Sequence, residues 1–306
     1  MKLFEASEEL KQEYVARIPS PQFLDGNVNP GTMVSLESIR AAKERQFGPD
    51  DIVIISYPKS GTTWSAEILS AIAHEGDTNA LQSRRIEDRV PWIEKIKKAA
   101  NDCNGKSVVS GKKRVWFTHL PLRHLPASIR EGKCKVLYVA RNPKDNAVSY
   151  FHFHKIARHL GLARDMTWDE FFRLHYSGFI WCGSWFAHVR DYWKFSRENP
   201  NVKFVRYEDL QSNLLKEVES IEQFVEIPLS TDNRLQIVDH CTFDTMKENI
   251  MANRSGAKSF DQSFGKFMRK GMVGDWKNYF TIAQSEAFDE LYKREMDGCG
   301  LEFEFE

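Results

Sequence analysis

A short stretch between an apolar run and a helical pattern concentrates residue types that bind anions. The stretch reads Pro58-Lys-Ser-Gly-Thr-Thr63 and follows the apolar run Ile52–Tyr57. Gly61 allows a ligand to approach the backbone without a Cβ clash, and the first N–H groups of a helix carry partial positive charge. The cation and hydroxyl donors around it are Lys59, Ser60, Thr62 and Thr63. The stretch therefore predicts a phosphate cradle at the start of a helix.

The order of residues separates this cradle from the loop of nucleotide triphosphatases. In the pattern GxxxxGK[ST] the lysine directly follows the second glycine, whereas Lys59 precedes the only glycine here. A triphosphatase also places an acidic residue at a strand end to hold magnesium. The apolar run Lys135–Ala140 is instead followed by Arg141. This cation predicts a second anion site rather than a metal site.

The elements that position these residues alternate between strands and helices. Four nearly continuous apolar runs predict parallel strands covered on both faces: Ile52–Tyr57, Arg114–Thr118, Lys135–Ala140 and Val202–Tyr207. Apolar residues at helical spacing follow the cradle and recur over 214–225, and Thr167–Glu170 forms a capping box. We expect an α/β fold, a single domain over 1–306 with a doubly wound central parallel sheet flanked by helices. The polar stretches 101–113 and 249–274 are predicted loops.

Composition limits the classes of partner. The 306 residues include 42% hydrophobic residues, and 43 basic side chains balance 43 acidic ones. A zero net charge disfavours binding to nucleic acid or a membrane surface. The N-terminal residues are too acidic for a signal peptide, and no apolar run is long enough to span a membrane. The five scattered cysteines indicate reduced thiols, so we expect a cytoplasmic protein without a metal site.

Five motifs, taken together, resemble those of the cytosolic sulfotransferases. They are YPKSGTTW, HLP, ARNPKDNAVSYFHF, RYEDL and FMRKGMVGDWK, in the order of that family, from about Phe23 to the C-terminal region. These enzymes use 3′-phosphoadenosine 5′-phosphosulfate (PAPS) and release adenosine 3′,5′-bisphosphate (PAP), with no metal. The resemblance implies in-line transfer of a sulfuryl group to the hydroxyl of a small molecule, such as a phenol or a sterol-like alcohol.

The resemblance also implies roles for individual residues. Lys59 reaches the oxygen that bridges phosphorus and sulfur, and His119 is the general base that takes the acceptor proton. The implied cofactor-binding residues are Lys59, Ser60, Gly61, Thr62, Thr63, Trp64, Arg141, Ser149, Tyr207, Thr242, Phe243, Arg269, Lys270 and Gly271. The implied acceptor-binding residues are Phe23, Trp92, His119, Phe151 and His159, with the loop 259–267.

Two positions depart from the family pattern, and a further pattern concerns assembly. Phe117 stands where many members have a lysine two residues before the catalytic histidine, which leaves a second cation at the transferring group in question. Cys241 replaces a common threonine, and this predicts a weakened adenine contact. Lys277–Glu286 matches the family's dimerisation pattern KxxxT[VI]xxxE, so a homodimer is expected. The alternative functions are a small-molecule kinase and a nucleotide-binding protein without turnover.

Overall fold

The computed structural model describes residues 4–95 and 113–306, so the loop predicted at 101–113 lies outside the described ranges except for Lys113. The strands are β1 Pro21–Leu24, β2 Asn27–Pro30, β3 Asp51–Ser56, β4 Arg114–Thr118, β5 Lys135–Ala140 and β6 Val202–Arg206. The helices are α1 Glu8–Arg17, α2 Leu36–Lys43, α3 Thr62–Ala73, α4 Ile86–Arg89, α5 Ala127–Arg130, α6 Pro143–Ile156, α7 Trp168–Tyr176, α8 Trp185–Glu198, α9 Tyr207–Ser212, α10 Leu214–Val225, α11 Thr231–His240, α12 Phe243–Glu248 and α13 Ile282–Met296.

The central sheet is parallel and has the strand order β4-β3-β5-β6. Its register places Ile54 of β3 between Phe117 of β4 and Leu137 of β5. The chain leaves β3 toward one edge to form β4 and then crosses to the other side to form β5. Such a reversal opens a crevice at the carboxyl ends of β3 and β5, where ligands of open α/β sheets bind.

Alternating residues of the sheet enter two separate hydrophobic cores. Val53 and Ile55 of β3 pack with side chains from α6, α7 and α8 on one face. Ile52 and Ile54 pack with side chains from α3, α10 and α11 on the other face. All four are fully buried, and each such burial contributes roughly 1.5–3 kcal/mol relative to exposure. Two covered faces explain why the strands are continuously apolar, and they confirm the predicted doubly wound α/β fold.

The predicted elements agree closely with the observed ones. The four predicted strands match β3 to β6 to within one residue at either end. Thr167 caps α7 through the predicted capping box, and the apolar stripe from Leu214 coincides with α10. The segment 249–274 is irregular apart from a short 3₁₀ turn at Gln262–Phe264. The antiparallel pair β1–β2 had no prediction, because its short strands lack an alternating apolar pattern.

No helix in the described ranges is both long and apolar enough to cross a bilayer.

Candidate active site

One cavity lies at the carboxyl ends of three neighbouring strands. Lys59 follows β3, His119 follows β4 and Arg141 follows β5, and all three line it. The other predicted site residues that line it are Gly61, Thr62, Thr63, Trp64, Trp92, Ser149, His159, Tyr207, Phe243, Arg269, Lys270 and Gly271. The fold therefore brings together residues that are up to about two hundred positions apart in the chain, because parallel strands end at the same edge of a sheet.

Two residues of the cradle adopt a left-handed backbone conformation before α3 begins. The φ angles of Lys59 and Gly61 are 69° and 111°. Gly61 also approaches a neighbour closely, since a Cβ there would lie 3.1 Å from the Tyr207 ring. As the N-cap of α3 it supplies no side-chain hydrogen bond to the first helical N–H groups. These groups remain available to an anion in the cavity.

The three hydroxyl groups of the cradle have different surroundings. Ser60 is fully buried and does not line the cavity, and its Oγ accepts a 3.0 Å hydrogen bond from the Asn146 amide. The same Asn146 amide donates to the Pro58 carbonyl at 2.8 Å. Because Asn146 belongs to α6, this helix holds the cradle in place. Thr62 Oγ1 pairs with Ser56 Oγ at 2.7 Å. The predicted side-chain role of Ser60 toward a ligand is therefore a structural role inside the loop.

The ammonium group of Lys59 lies over aromatic rings, and no carboxylate in the described ranges forms an ion pair with it. Its Nζ is 4.0 Å from the centre of the Phe267 ring and 4.7 Å from that of Phe153. Loss of hydration lowers the pKa of Lys59 to about 7, and the nearby Arg254, Arg141 and Arg269 guanidinium groups contribute to that decrease. A cation held under such conditions gains strongly from a bound anion.

His119 is oriented by the strand next to its own. Its Nδ1 lies 2.8 Å from the Ser56 carbonyl oxygen, which only accepts hydrogen bonds. Nδ1 therefore carries the proton, and Nε2 keeps a lone pair. Burial lowers the pKa of His119 to about 4; the Ser56 hydrogen bond opposes this effect, and the cations Arg254 and Lys59 add to it. The neutral imidazole is thus the form present near neutral pH.

The Arg141 end of the cavity holds a second group of cations. The Arg141 guanidinium is buried, lies 4.4 Å from the Tyr207 ring centre and donates to the Met272 carbonyl at 2.8 Å. Its Nε has no hydrogen-bond partner within the described residues. Ser149, two turns along α6, lines the same part of the cavity. A buried arginine with a spare donor fits an anionic group such as a phosphate.

Arg269 and Lys270 are held by one carboxylate. Asp275 forms an ion pair with Arg269 Nη1 at 2.6 Å and accepts a hydrogen bond from Lys270 Nζ at 2.5 Å. Burial would raise the pKa of Asp275, but hydrogen bonds from Lys270, Asn278 and Arg269 outweigh it and lower that pKa. The carboxylate of Asp145 on α6 accepts from the backbone N–H groups of Gly274 and Trp276 at 2.8 and 3.0 Å. The segment is thereby anchored to α6.

Three aromatic side chains form a cleft between the two groups of cations. The rings of Trp64 and Tyr207 lie 5.3 Å apart at 66°. Phe243 packs so closely on Gly271 that a Cβ at Gly271 would lie 2.0 Å from its ring, and the φ of Gly271 is 65°. Flat apolar walls of this kind suit stacking on a planar base. Trp64 Nε1 donates to the Cys241 carbonyl at 2.7 Å.

Two predicted contributors to this cleft act elsewhere. The Cys241 side chain is fully buried, so the replacement of threonine changes core packing rather than the cavity wall. Thr242 caps α12, where its Oγ1 accepts from the Thr245 N–H at 3.2 Å. Neither residue lines the cavity in the part of the chain that is described. Cys241 and Thr242 can therefore affect the cleft only through their backbone atoms, as the Cys241 carbonyl does by accepting the hydrogen bond from Trp64.

Aromatic side chains also surround His119. The rings of Trp92, Phe117 and Trp181 lie 5.5, 5.7 and 6.0 Å from the imidazole. Phe153 and Phe260 extend this wall, and both line the cavity. Trp181 had no prediction, because it follows α7 in a loop whose sequence carries no motif. The walls suit a small apolar molecule that presents a polar group to His119.

His159 adds a polar group to this apolar region. It is buried, and neither ring nitrogen has a hydrogen-bond partner within the described residues. Burial lowers the pKa of His159 to about 3, with smaller effects from Lys95 and His154, so its imidazole is neutral. A buried group without a partner is costly unless a ligand or water supplies one. His159 lines the cavity, and its contact with an acceptor stays a prediction.

Phe23 and Phe151 do not line the cavity, in contrast to the prediction. Phe23 lies on β1 and is 50% exposed. Phe151 is buried on the opposite side of α6, where its ring lies 5.5 Å from Trp168 and 5.6 Å from Phe171. Helical periodicity separates it from Ser149, which lines the cavity: two residues along a helix turn the side chain by about 200°. Phe151 belongs to the aromatic core.

Sequence reasoning missed two cations that line the cavity, Lys95 and Arg254. Arg254 lines the cavity, and its Nε donates to Thr63 Oγ1 at 3.1 Å. Arg254 lies in the predicted loop 249–274, but no motif included it. No cluster of three metal-binding side chains occurs among the described residues. The cavity thus presents several cations to an anionic ligand.

The chain belongs to the sulfotransferase domain family, whose sequence profile matches residues 49–300. The chain is 39% identical to Sulfotransferase 1C2 of Rattus norvegicus over 98% of this chain and 97% of that protein. It is 41% identical to Sulfotransferase 1A1 of Canis lupus familiaris over 87% and 90% of the two chains.

Solved structures agree with this family. Mouse sulfotransferase SULT7A1, complexed with PAP, is 31% identical and aligns with a TM-score of 0.74 over 91% of this chain and 94% of that one. A retinol dehydratase in complex with androsterone and PAP is 21% identical and shares the fold, with a TM-score of 0.80 over 98% and 97% of the chains. The resemblance noted in the sequence is thereby confirmed.

Proposed function

We propose that this protein transfers a sulfuryl group from PAPS to the hydroxyl of a small molecule and releases PAP. The observation that carries the proposal is the meeting of Lys59, His119 and Arg141 at one cavity, each at the end of a different strand. The first two supply a cation and a base at one end, and the third supplies an anion site at the other. A donor with phosphate groups at both ends of a nucleoside matches this arrangement.

The cavity fits the donor in charge and shape. PAPS carries about four negative charges near neutral pH. In this proposal the cradle and Lys59 hold the 5′-phosphosulfate, while Arg141, Ser149 and the 269–271 segment hold the 3′-phosphate. Two observations support that orientation: Arg141 Nε has no hydrogen-bond partner among the residues described, and Gly271 is in tight contact with Phe243. The cleft formed by Trp64, Tyr207 and Phe243 then receives the adenine.

The reaction needs a base on one side of the sulfur and a cation on the other. His119 Nε2 accepts the proton of the acceptor hydroxyl while the acceptor oxygen forms a bond to sulfur. The bond between sulfur and the bridging oxygen breaks, and its electron pair stays on the phosphate. Lys59 stabilises this developing charge, which is greater in the transition state than in the bound donor. The neutral state of His119, with its Nδ1 proton held by Ser56, supports this role.

The acceptor is proposed to be a small, largely apolar alcohol or phenol. The aromatic walls around His119 support this class, and His159 offers one polar contact to a second group on the molecule. We further propose a cytoplasmic, single-domain enzyme that forms a homodimer through Lys277–Glu286. Ile282, at the centre of that segment, is 80% exposed, which supports a contact surface there. Light scattering of wild type and Ile282→Asp tests the dimer.

Calorimetry and a transfer assay test the function together. Titration with PAP should show tight binding without magnesium, and ATP should bind more weakly with or without it. Radiolabelled PAPS should transfer its sulfuryl group to a panel of phenols and aliphatic alcohols. Tighter binding of ATP, or a magnesium requirement, would indicate a kinase. Tight PAP binding without any transfer across the panel would indicate a nucleotide-binding protein without turnover.

A further inference from the structure

Arg254 occupies the part of the cavity where the cradle meets His119. It lies in the segment after α12, with a left-handed backbone at φ 58°. Its Nε donates to Thr63 Oγ1 in the first turn of α3. Its guanidinium carbon lies 5.9 Å from the Phe117 ring centre, and that ring lies 5.7 Å from His119. Because Nε donates to Thr63, the N–H groups on Nη1 and Nη2 are available to a ligand.

Arg254 and Lys59 flank one aromatic ring. The guanidinium carbon of Arg254 lies 5.5 Å from the centre of Phe267, and Lys59 Nζ lies 4.0 Å from the same centre. Among the neighbouring cations, Arg254 contributes most to the lowered pKa of Lys59 and also most to the lowered pKa of His119. Arg254 is therefore close to both groups that act on the transferring sulfur.

No carboxylate within the ranges 4–95 and 113–306 forms an ion pair with Arg254, whereas Arg269 and Lys270 share Asp275. Loss of hydration lowers the pKa of Arg254, and only Glu87 opposes this decrease. Removing a cation from water without a paired anion is costly. A site that keeps two unpaired cations on one ring is built for an anion that arrives from outside. In the proposed function, the anionic group that lies between the cradle and the base is the sulfuryl group.

We propose that Arg254 binds the oxygens of the sulfuryl group and stabilises that group during transfer. This inference rests on the proposed function. Phe117, which lies on β4 beside His119, is apolar and supplies no charge. It instead offers a ring face that favours the guanidinium through a cation–π contact. The cation therefore comes from the loop 249–274 rather than from the strand. The bonds made and broken are those of the proposed transfer, with no additional reactant.

Arg254→Met tests this role with two measurements. Removal of one preorganised donor to a developing charge typically lowers kcat by about 10²–10³. The affinity for PAP should stay close to that of wild type, because PAP lacks the sulfuryl group. The affinity for PAPS should fall, so the ratio of the PAPS and PAP dissociation constants should rise. Arg254→Lys keeps a charge and should lie between wild type and Arg254→Met in both measurements.

A second variant places a positive charge on strand β4 in place of the charge of Arg254. In Phe117→Lys/Arg254→Met the lysine should restore much of kcat and return the PAPS to PAP ratio toward that of wild type. Arg197→Met, on the exposed face of α8, is the matched control and should change neither quantity. Circular dichroism and the unfolding midpoint verify that each variant is folded.

The outcomes separate this inference from the function on which it rests. Wild-type protein without any PAPS-dependent transfer would overturn both. An active wild type together with an Arg254→Met variant equal to Arg197→Met would overturn the role of Arg254 alone. Equal losses in PAPS and PAP affinity with unchanged kcat would also overturn it, since Arg254 would then be a general phosphate ligand. A selective loss for PAPS, with rescue by the strand lysine, supports the inference.

Discussion

The Nδ1 atom of His119 lies 2.8 Å from the carbonyl oxygen of Ser56, the last residue of β3. The strand that leads into the phosphate cradle therefore also fixes the tautomer of the proposed base on the neighbouring strand. Because β3 and β4 pair in parallel, a shift in their register would move the base relative to Lys59. The spacing between the base and the cradle is thus a property of the sheet rather than of a loop.

Replacement of His119 by alanine is expected to abolish most transfer to hydroxyl acceptors. The loss of a general base costs about 10²–10⁴ in rate, and aliphatic alcohols should suffer more than the more acidic phenols. The affinity for PAP should remain near that of wild type. Turnover and calorimetry measure the two effects. His74→Ala, at the far end of α3, is the control, and an active His119→Ala variant would contradict the proposed role.

Binding of PAP should take up a proton above neutral pH. The pKa of Lys59 is lowered to about 7 in the empty cavity, chiefly by loss of hydration. A bound anion raises this pKa, so Lys59 becomes protonated in the complex at pH 8 and the affinity decreases as the pH rises above about 7. Calorimetry in buffers of different ionisation enthalpy measures the proton uptake. The uptake should vanish in Lys59→Met; an unchanged uptake in that variant would assign the proton to another group.

Lys59→Ala should lower kcat far more than it weakens PAP binding. The reason is that charge on the leaving phosphate develops during transfer, so the ammonium contributes most in the transition state. Single-turnover rates and PAP titrations separate the two effects. Equal factors in rate and affinity would instead identify Lys59 as a simple phosphate ligand.

Arg141→Met should reduce discrimination in favour of a 3′-phosphate. Nε of the buried guanidinium has no hydrogen-bond partner in the part of the chain that the structure describes, and a charge-assisted hydrogen bond contributes about 1.5–3 kcal/mol. PAP affinity should therefore fall at least about tenfold, whereas adenosine 5′-monophosphate should be little affected. Ser149→Ala should show the same selectivity with a smaller loss. Arg130→Met, on the exposed end of α5, is the control. Equal losses for both nucleotides would show that Arg141 supports the fold.

Gly271→Ala should weaken PAP binding through a collision with Phe243. The added Cβ would lie 2.0 Å from the ring, so the aromatic cleft must move. Gly298→Ala provides a matched control, because its φ of 68° is close to the 65° of Gly271 and nothing lies within 4 Å of its Cβ. Both variants carry the same backbone strain, and only Gly271→Ala should lose PAP affinity. Equal affinities would show that the cleft does not hold the nucleotide.

The sequence contained most of the proposed donor site because that site is built from contiguous motifs, two of which directly follow strands. Lys59, Arg141 and Arg269 each lie in a motif whose local conformation is set by neighbouring residues. Their convergence follows from the parallel sheet, whose strands were readable from continuous apolar runs. The predicted fold class required only this alternation of strands and helices.

The acceptor side was harder to predict because it depends on long-range packing. Phe151 and Phe153 both belong to α6, yet only Phe153 lines the cavity while Phe151 packs on Trp168. Arg254 escaped notice because its proposed role depends on two rings, Phe267 further along the same loop and Phe117 on the distant strand β4. No local pattern encodes such a contact, so the cation and the acceptor wall appear only in three dimensions.

The cavity is completed by the last fifth of the chain. Arg254, Phe267 and the residues 269–271 close it, and Asp145 on α6 anchors this segment through the N–H groups of Gly274 and Trp276. A growing polypeptide therefore presents the cradle and His119 long before it presents their cover. Nucleotide stabilises only conformations that bind it, so it favours the finished fold and gives no help to shorter nascent chains. Until the last fifth of the chain is present, the sheet is therefore stabilised by burial of its two hydrophobic faces and not by nucleotide.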